Sequence, residues 1–208
     1  MRATIAIIAV CVAVFIAQAV FGEAFISTFS LVPASALSGQ YWQFFTYMFL
    51  HGGLWHLTIN MFILFMFGTL IERAIGWKWY MIMFMVSGMG SALFHIALSS
   101  GIPQSMFVPL IGASGGVFGV LAAFAFMFPD MKLFIIPIPV PIKAIYAIVG
   151  IAVFEFLLGV FNILPGIANF GHLGGIITGV LLMFYWRYAQ RRRSRSRTEM
   201  RNFEFYWE

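Results

Sequence analysis

The chain has 208 residues, of which 62% are hydrophobic and 9% charged, and its mean hydropathy is +0.96. That composition excludes an ordinary soluble domain, and apolar runs long enough to cross a hydrocarbon core recur along the whole length. The net charge of +5 is concentrated near the C-terminal end, so it speaks about orientation in a membrane and not about nucleic acid.

Thr4 to Gly22 is the first apolar run, preceded by Arg2 and containing the single cysteine, Cys11, which can form no internal disulfide. Ala17-Gln18-Ala19 looks like a signal-peptidase site after a short hydrophobic core, but an uncleaved helix suits the compact set of later spans better. Residues 23–55 read as a long connection without lysine or arginine. Its aromatic cluster, Tyr41 to Phe49, suits an interfacial segment with Tyr41 and Trp42 at headgroup level. A second helix is expected over His56 to Ile75 and a third over Trp77 to Ser99, the latter opened by Trp77, Lys78 and Trp79 as anchors. Ser100 to Ala113 is a loop with Pro103 and Pro109. A short fourth helix follows over Ser114 to Phe128, ended by Pro129-Asp130.

Pro137, Pro139 and Pro141 keep the next connection non-helical. Lys143 to Phe161 is the fifth helix, Asn162 to Phe170 a short loop holding Pro165, and Gly171 to Tyr188 the sixth. The expected fold class is therefore all-α, a polytopic bundle of six transmembrane helices over residues 1–188. A basic, arginine- and serine-rich tail over 189–208 would stay solvated or lie on anionic lipid. With six crossings, all 12 lysines and arginines fall on the side shared by both ends, and the connections on the other side have none. The positive-inside rule then predicts a multi-pass protein of the plasma or inner membrane with both termini cytoplasmic.

In that topology His56, Ser114 and His172 open the second, fourth and sixth helices at one depth below the outer surface. Polar residues there must face the protein interior or a watery cavity. Ser114 stands in Ile111-Gly112-Ala113-Ser114-Gly115-Gly116, at what reads as a helix N-cap, with Gly112 and Gly115 leaving room for a second backbone to approach. Gly171, Gly175 and Gly179 line one face of the sixth helix, and Gly115 and Gly119 one face of the fourth. Faces of small residues let membrane helices approach closely. Contact along them would bring the His172 imidazole to the Ser114 hydroxyl.

That pair permits nucleophilic catalysis, with Ser114 as nucleophile and His172 as general base. The N–H groups at the helix start lie where an oxyanion would form, and His56 and Asn60, four apart on one helix face, supply further donors. Since no aspartate lies near these positions in sequence, a serine–histidine dyad is the better-supported arrangement. No metal-ligand cluster, phosphate loop or nucleotide fingerprint is present, so neither metal nor cofactor is expected.

At these residues the sequence resembles the rhomboid family of intramembrane serine proteases in its six-helix bacterial form, over nearly the whole chain up to about Tyr188. The G-x-S-G serine of that family matches Gly112-Ala113-Ser114-Gly115, the base of its last core helix matches His172, and its H-x-x-x-N pair matches His56 and Asn60. His51-Gly52-Gly53-Leu54-Trp55 is similar to the family's approach to the second helix. Three positions depart from the common pattern. Gln43 follows Trp42 where arginine is frequent, Gly171 precedes the base where alanine is frequent, and Phe118 stands where tyrosine is frequent. Phe118 can still stack on His172 but brings no hydroxyl.

The resemblance implies an endopeptidase whose partners are transmembrane protein substrates and the lipid bilayer. Two rival readings use the same bundle: a non-catalytic binding or quality-control protein, and a small transporter. Glu155, a carboxylate within the fifth helix, reads as a structural hydrogen-bonding residue, with substrate access or gating as the alternative, and His95, near the end of the third, reads as structural.

Overall fold

A computed structural model describes residues 1–100, 103–135, 139–161, 163 and 168–204, with side chains omitted at 99, 103 and 195–204. Pro137, Asn162, Pro165 and the aromatic residues Phe205 to Trp207 therefore lie outside the described residues.

Helix α1 covers Arg2–Phe29 and bends at Gly22, whose φ of +66° only glycine adopts readily. The chain thus stays helical for seven residues beyond the expected end of the first run. The connection that follows is not a plain loop either. It contains two short helices, α2 (Pro33–Leu37) and α3 (Gln43–Thr46), and a 3-10 turn over Tyr47–Phe49. Pro33 at the first position of α2 starts that helix with its φ already set.

Helix α4 (Leu54–Ile75) contains one π-helical turn, Leu64–Gly68, and α5 (Trp77–Ser99) matches its expected range. Helix α6 (Ser114–Met127) is followed by a two-residue antiparallel ribbon, β1 (Lys132–Leu133) with β2 (Ile142–Lys143), in the proline-rich connection. An ion pair of 2.7 Å between Lys143 and Asp130 closes this ribbon, and the carboxylate raises the pKa of the lysine. Helix α7 covers Ala144–Phe161, and α8 runs Asn169–Glu204 without a break, so the arginine-rich tail continues the last helix as far as Glu204.

Among the described residues, α1, α4, α5 and α7 are long and apolar enough to cross a membrane. Helix α6 is apolar but has only 14 residues. It lies at the centre, with Val117 and Val120 to Ala125 buried against α4, α5, α7 and α8. Tyr47, Tyr80, Phe84 and Phe124 are the largest side chains of this core. Helix α7 sits outside, packed on α8 and α6, with Tyr146, Val149, Val153, Phe154 and Val160 exposed. Such a face suits hydrocarbon and not water. The protein is a multi-pass α-helical membrane protein.

Non-helical backbone at membrane depth needs internal partners, and the segment before α4 has them. The Gln18 amide of α1 accepts the His51 N–H at 2.9 Å and donates to the His51 carbonyl at 3.0 Å. Gln43 is buried and accepts the Val32 N–H at 3.0 Å, while Trp42 donates to the Thr28 carbonyl at 3.1 Å. The Trp-Gln departure therefore keeps the segment anchored, through an amide. Leu31 and Leu110 pair as an antiparallel bridge, and the Gly112 N–H donates to the Tyr47 carbonyl at 3.0 Å. The first connection is in this way tied to the strand of chain that delivers Ser114.

Candidate active site

Ser114 is the first residue of α6, but it is not the cap. Ala113 occupies that position, and no side chain caps the helix. The hydroxyl instead shares a hydrogen bond of 3.0 Å with His172 Nε2. The expected capping role is lost because the oxygen is engaged across the helix interface.

The contact follows from the glycine faces. A side chain at Gly175 of α8 would run into the backbone carbonyl of Gly115, and one at Gly179 into the backbone of Gly119. On its other side α6 meets Ser87 and Ser91 of α5, which fill the space beside Gly119 and Gly115. Helices α6 and α8 thus touch backbone to backbone, one turn from the paired hydroxyl and imidazole. The Phe118 ring stacks on His172 with centroids 4.4 Å apart and an interplanar angle of 28°, which fixes the plane of the imidazole.

Gly112 has a φ of +129°, and a Cβ there would lie 2.8 Å from His56 Cε1, 2.9 Å from its Nε2 and 3.7 Å from Ser114 Oγ. The bare position therefore admits an imidazole, where the sequence suggested a backbone. It also brings His56 and Ser114 to the two sides of one small space. His56 Nδ1 accepts the Gly52 N–H at 3.3 Å, which leaves Nε2 facing that space as the protonated nitrogen. Asn60 is buried, and its amide nitrogen donates to the His56 carbonyl at 2.8 Å. One of the two Asn60 N–H groups is thereby committed, and the other makes no hydrogen bond among the described residues.

Glu155 is the residue whose place sequence reading missed. Its Oε1 lies 3.1 Å from His172 Nδ1, with both side chains largely buried. The two atoms are close without the alignment of a hydrogen bond, and Nδ1 has no other partner. No aspartate is near, as expected, but a glutamate from α7 faces the far nitrogen of the imidazole. The only sequence signal was its presence in an apolar helix, where a carboxyl group needs a partner. His95 packs behind Gly171, 3.7 Å from where a Cβ would stand, and its Nδ1 is buried without a hydrogen bond. Among the described residues no three His, Cys, Asp or Glu side chains are grouped to hold a metal ion.

Comparison with known proteins meets this geometry from another direction. The Rhomboid domain matches residues 38–189. The chain is 33% identical over 144 residues to Rhomboid protein 1, mitochondrial, of Saccharomyces cerevisiae, covering 66% of this chain and 39% of that protein. It is 33% identical over 144 residues to Rhomboid-type serine protease 2 of Emericella nidulans, covering 69% of this chain and 26% of that protein. It is also 27% identical over 151 residues to Inactive rhomboid protein 1 of Papio anubis, covering 70% and 16%. The chain thus spans well under half the length of these curated relatives. A domain match over most of the sequence, with relatives a third identical along two thirds of it, makes this chain a member of the rhomboid family.

Proposed function

We propose that the chain is an intramembrane serine endopeptidase that cleaves transmembrane segments of other membrane proteins, with Ser114 as nucleophile and His172 as general base. The observation that carries this reading is the 3.0 Å contact between Ser114 Oγ and His172 Nε2. In the first half-reaction His172 Nε2 takes the hydroxyl proton while Oγ attacks the scissile carbonyl carbon, and the carbonyl oxygen becomes an oxyanion. Three kinds of donor are available to that oxyanion: the N–H groups at the start of α6, His56 Nε2–H and the uncommitted N–H of Asn60. The imidazolium then passes its proton to the leaving amine. A water molecule, deprotonated by the same nitrogen, releases the acyl group and restores the hydroxyl. Gly112, Gly115 and Phe118 support the pair by letting the groups approach and by holding the ring.

The substrate helix must unwind locally for its carbonyl to reach Ser114, so helices with small or helix-breaking residues are preferred. The short α6 and the apolar part of α8 count as crossings in this reading. Residues 1–188 then form a six-span membrane domain, with 189–208 as a basic tail. The lysines and arginines gather on the side of both termini, which supports a plasma- or inner-membrane protein with cytoplasmic ends.

A non-catalytic reading draws on the 27% identity to a relative named inactive. Against it stands the intact serine–histidine contact. Ser114→Ala separates the two readings in liposomes carrying a reporter membrane helix. We expect the variant to fold and to cleave nothing, since the hydroxyl caps no N–H group. Cleavage at the wild-type rate would end the protease reading.

A further inference from the structure

We infer that Glu155 is a positioning residue for the base, so that this member of the family runs its reaction on a serine–histidine–glutamate relay of contacts instead of a dyad. The inference rests on the protease reading above and extends it to α7.

The imidazole of His172 is held on three sides. Ser114 Oγ lies 3.0 Å from Nε2, Phe118 stacks on the face, and Glu155 Oε1 lies 3.1 Å from Nδ1. A neutral imidazole carries one proton, and the nitrogen without it is the basic one. His172 can accept the Ser114 proton on Nε2 only if its own proton sits on Nδ1. An acceptor facing Nδ1 selects that tautomer, and Glu155 is the acceptor the chain provides. When Nε2 takes the serine proton, the ring becomes a cation with Nδ1–H pointing at the glutamate. A carboxyl oxygen there stabilises the charge within a largely buried site. Glu155 need not take a proton itself.

The resting contact is close but not aligned, and catalytic hydrogen bonds are often loose before substrate is bound. The second carboxyl oxygen, Oε2, is buried without a hydrogen bond among the described residues, so none of these draws the group away from His172. A purely structural account makes the same pair a clip between α7 and α8. The two accounts differ in what they do to the reaction. A clip holds α7 in place, so its loss changes stability or substrate access. A positioning residue sets the tautomer and the charge of the imidazole, so its loss changes the chemical step.

Glu155→Gln separates them, because it keeps the size of the side chain but removes the charge facing the imidazolium, and its amide can donate to Nδ1 as well as accept from it, so the productive tautomer is no longer selected. Cleavage of a reporter helix in liposomes should show kcat lowered by at least about 100-fold with KM within about threefold. Labelling of Ser114 by a small fluorophosphonate, which does not need α7 to admit a helix, should slow by the same factor. Wild-type kcat and labelling in Glu155→Gln, or a change confined to KM, would overturn the inference. Should that variant fold poorly, histidine-specific 15N NMR of the wild-type protein decides, with the His172 signal identified by its loss in His172→Ala. Protonation at Nδ1 is expected, and a proton on Nε2 would overturn the inference. Ser114→Ala and His172→Ala run alongside. If either still cleaves, the protease mechanism itself fails; if both are inactive while Glu155→Gln is fully active, only the role of Glu155 fails.

Discussion

Gly175 of α8 rests against the backbone carbonyl of Gly115 in α6, with no room for a side chain between them. Gly115 directly follows Ser114 and Gly175 lies about one turn after His172, so the same two helices present these side chains to each other beside that contact. The spacing of the proposed nucleophile and base is therefore set by a backbone contact, and not by the two side chains alone. Gly175→Val should force the helices apart, destabilise the protein by about 1–3 kcal/mol, and lower cleavage by more than the loss of folded protein explains. Thermal unfolding and turnover measured on the same preparation check this; activity that merely tracks the folded fraction would refute it.

His172→Ala should neither cleave nor label with fluorophosphonate, since among the described residues no other base is hydrogen-bonded to the Ser114 hydroxyl. His51 is no substitute, since its Nδ1 is turned to the Phe49 carbonyl at 3.2 Å. Labelling of His172→Ala as fast as wild type would require another group to activate the serine.

His56 and Asn60 should slow the reaction without stopping it. One oxyanion donor is typically worth about 100- to 1,000-fold in rate, and the N–H groups at the start of α6 remain. Asn60→Ala is expected to reach further than its own donor, because it also frees the His56 carbonyl that Asn60 holds at 2.8 Å. His56→Ala should keep some fluorophosphonate reactivity. A strongly destabilised Asn60→Ala with activity in proportion to folded protein would make that residue structural.

His51 should make stability depend on pH in a defined window. Burial, reinforced by the nearby His56, lowers its pKa from 6.5 to about 4, and the Phe49 carbonyl opposes this only in part. Between those values the unfolded chain binds a proton that the folded chain does not. Stability therefore falls as pH drops from about 6.5 toward 4, by up to roughly 1.4 kcal/mol per unit, and levels off below. His51→Gln should lack this part of the slope when thermal unfolding is followed between pH 4 and 7. Parallel curves for the two proteins would show that His51 does not titrate this way.

Helix α5, α6 and the glycine faces were legible because they depend on local patterns: an apolar run between breakers, and small residues every fourth position. The N-cap expectation for Ser114 failed because capping competes with a tertiary partner, and His172 is 58 positions away. The extension of α1 to Phe29 was hidden by Gly22, which reads as a stop and acts as a bend. Residues 30–53 looked like a loop because their order comes from side chains reaching into them, Gln18 and Gln43 above all, and not from periodicity. Glu155 was noticed as costly, yet its partner is on another helix, so nothing near it in sequence named the imidazole it faces.

The shortness of α6 has a consequence for the reaction medium. At about 1.5 Å per residue its 14 residues reach about 21 Å, against about 30 Å of hydrocarbon. Asp130 lies just past its far end and is well exposed, which holds that end at an aqueous boundary. With α6 as a crossing, as proposed, the Ser114 end would stop roughly 9 Å below the opposite boundary, beside longer helices. On the proposed reading the longer helices around that end keep acyl chains away, so that water reaches Ser114 from the solution above and not through the lipid. The proposed hydrolysis would thereby be sensitive to the activity of water in the bulk, and an excluded osmolyte added to that compartment would act on the proposed deacylation step without touching the bilayer.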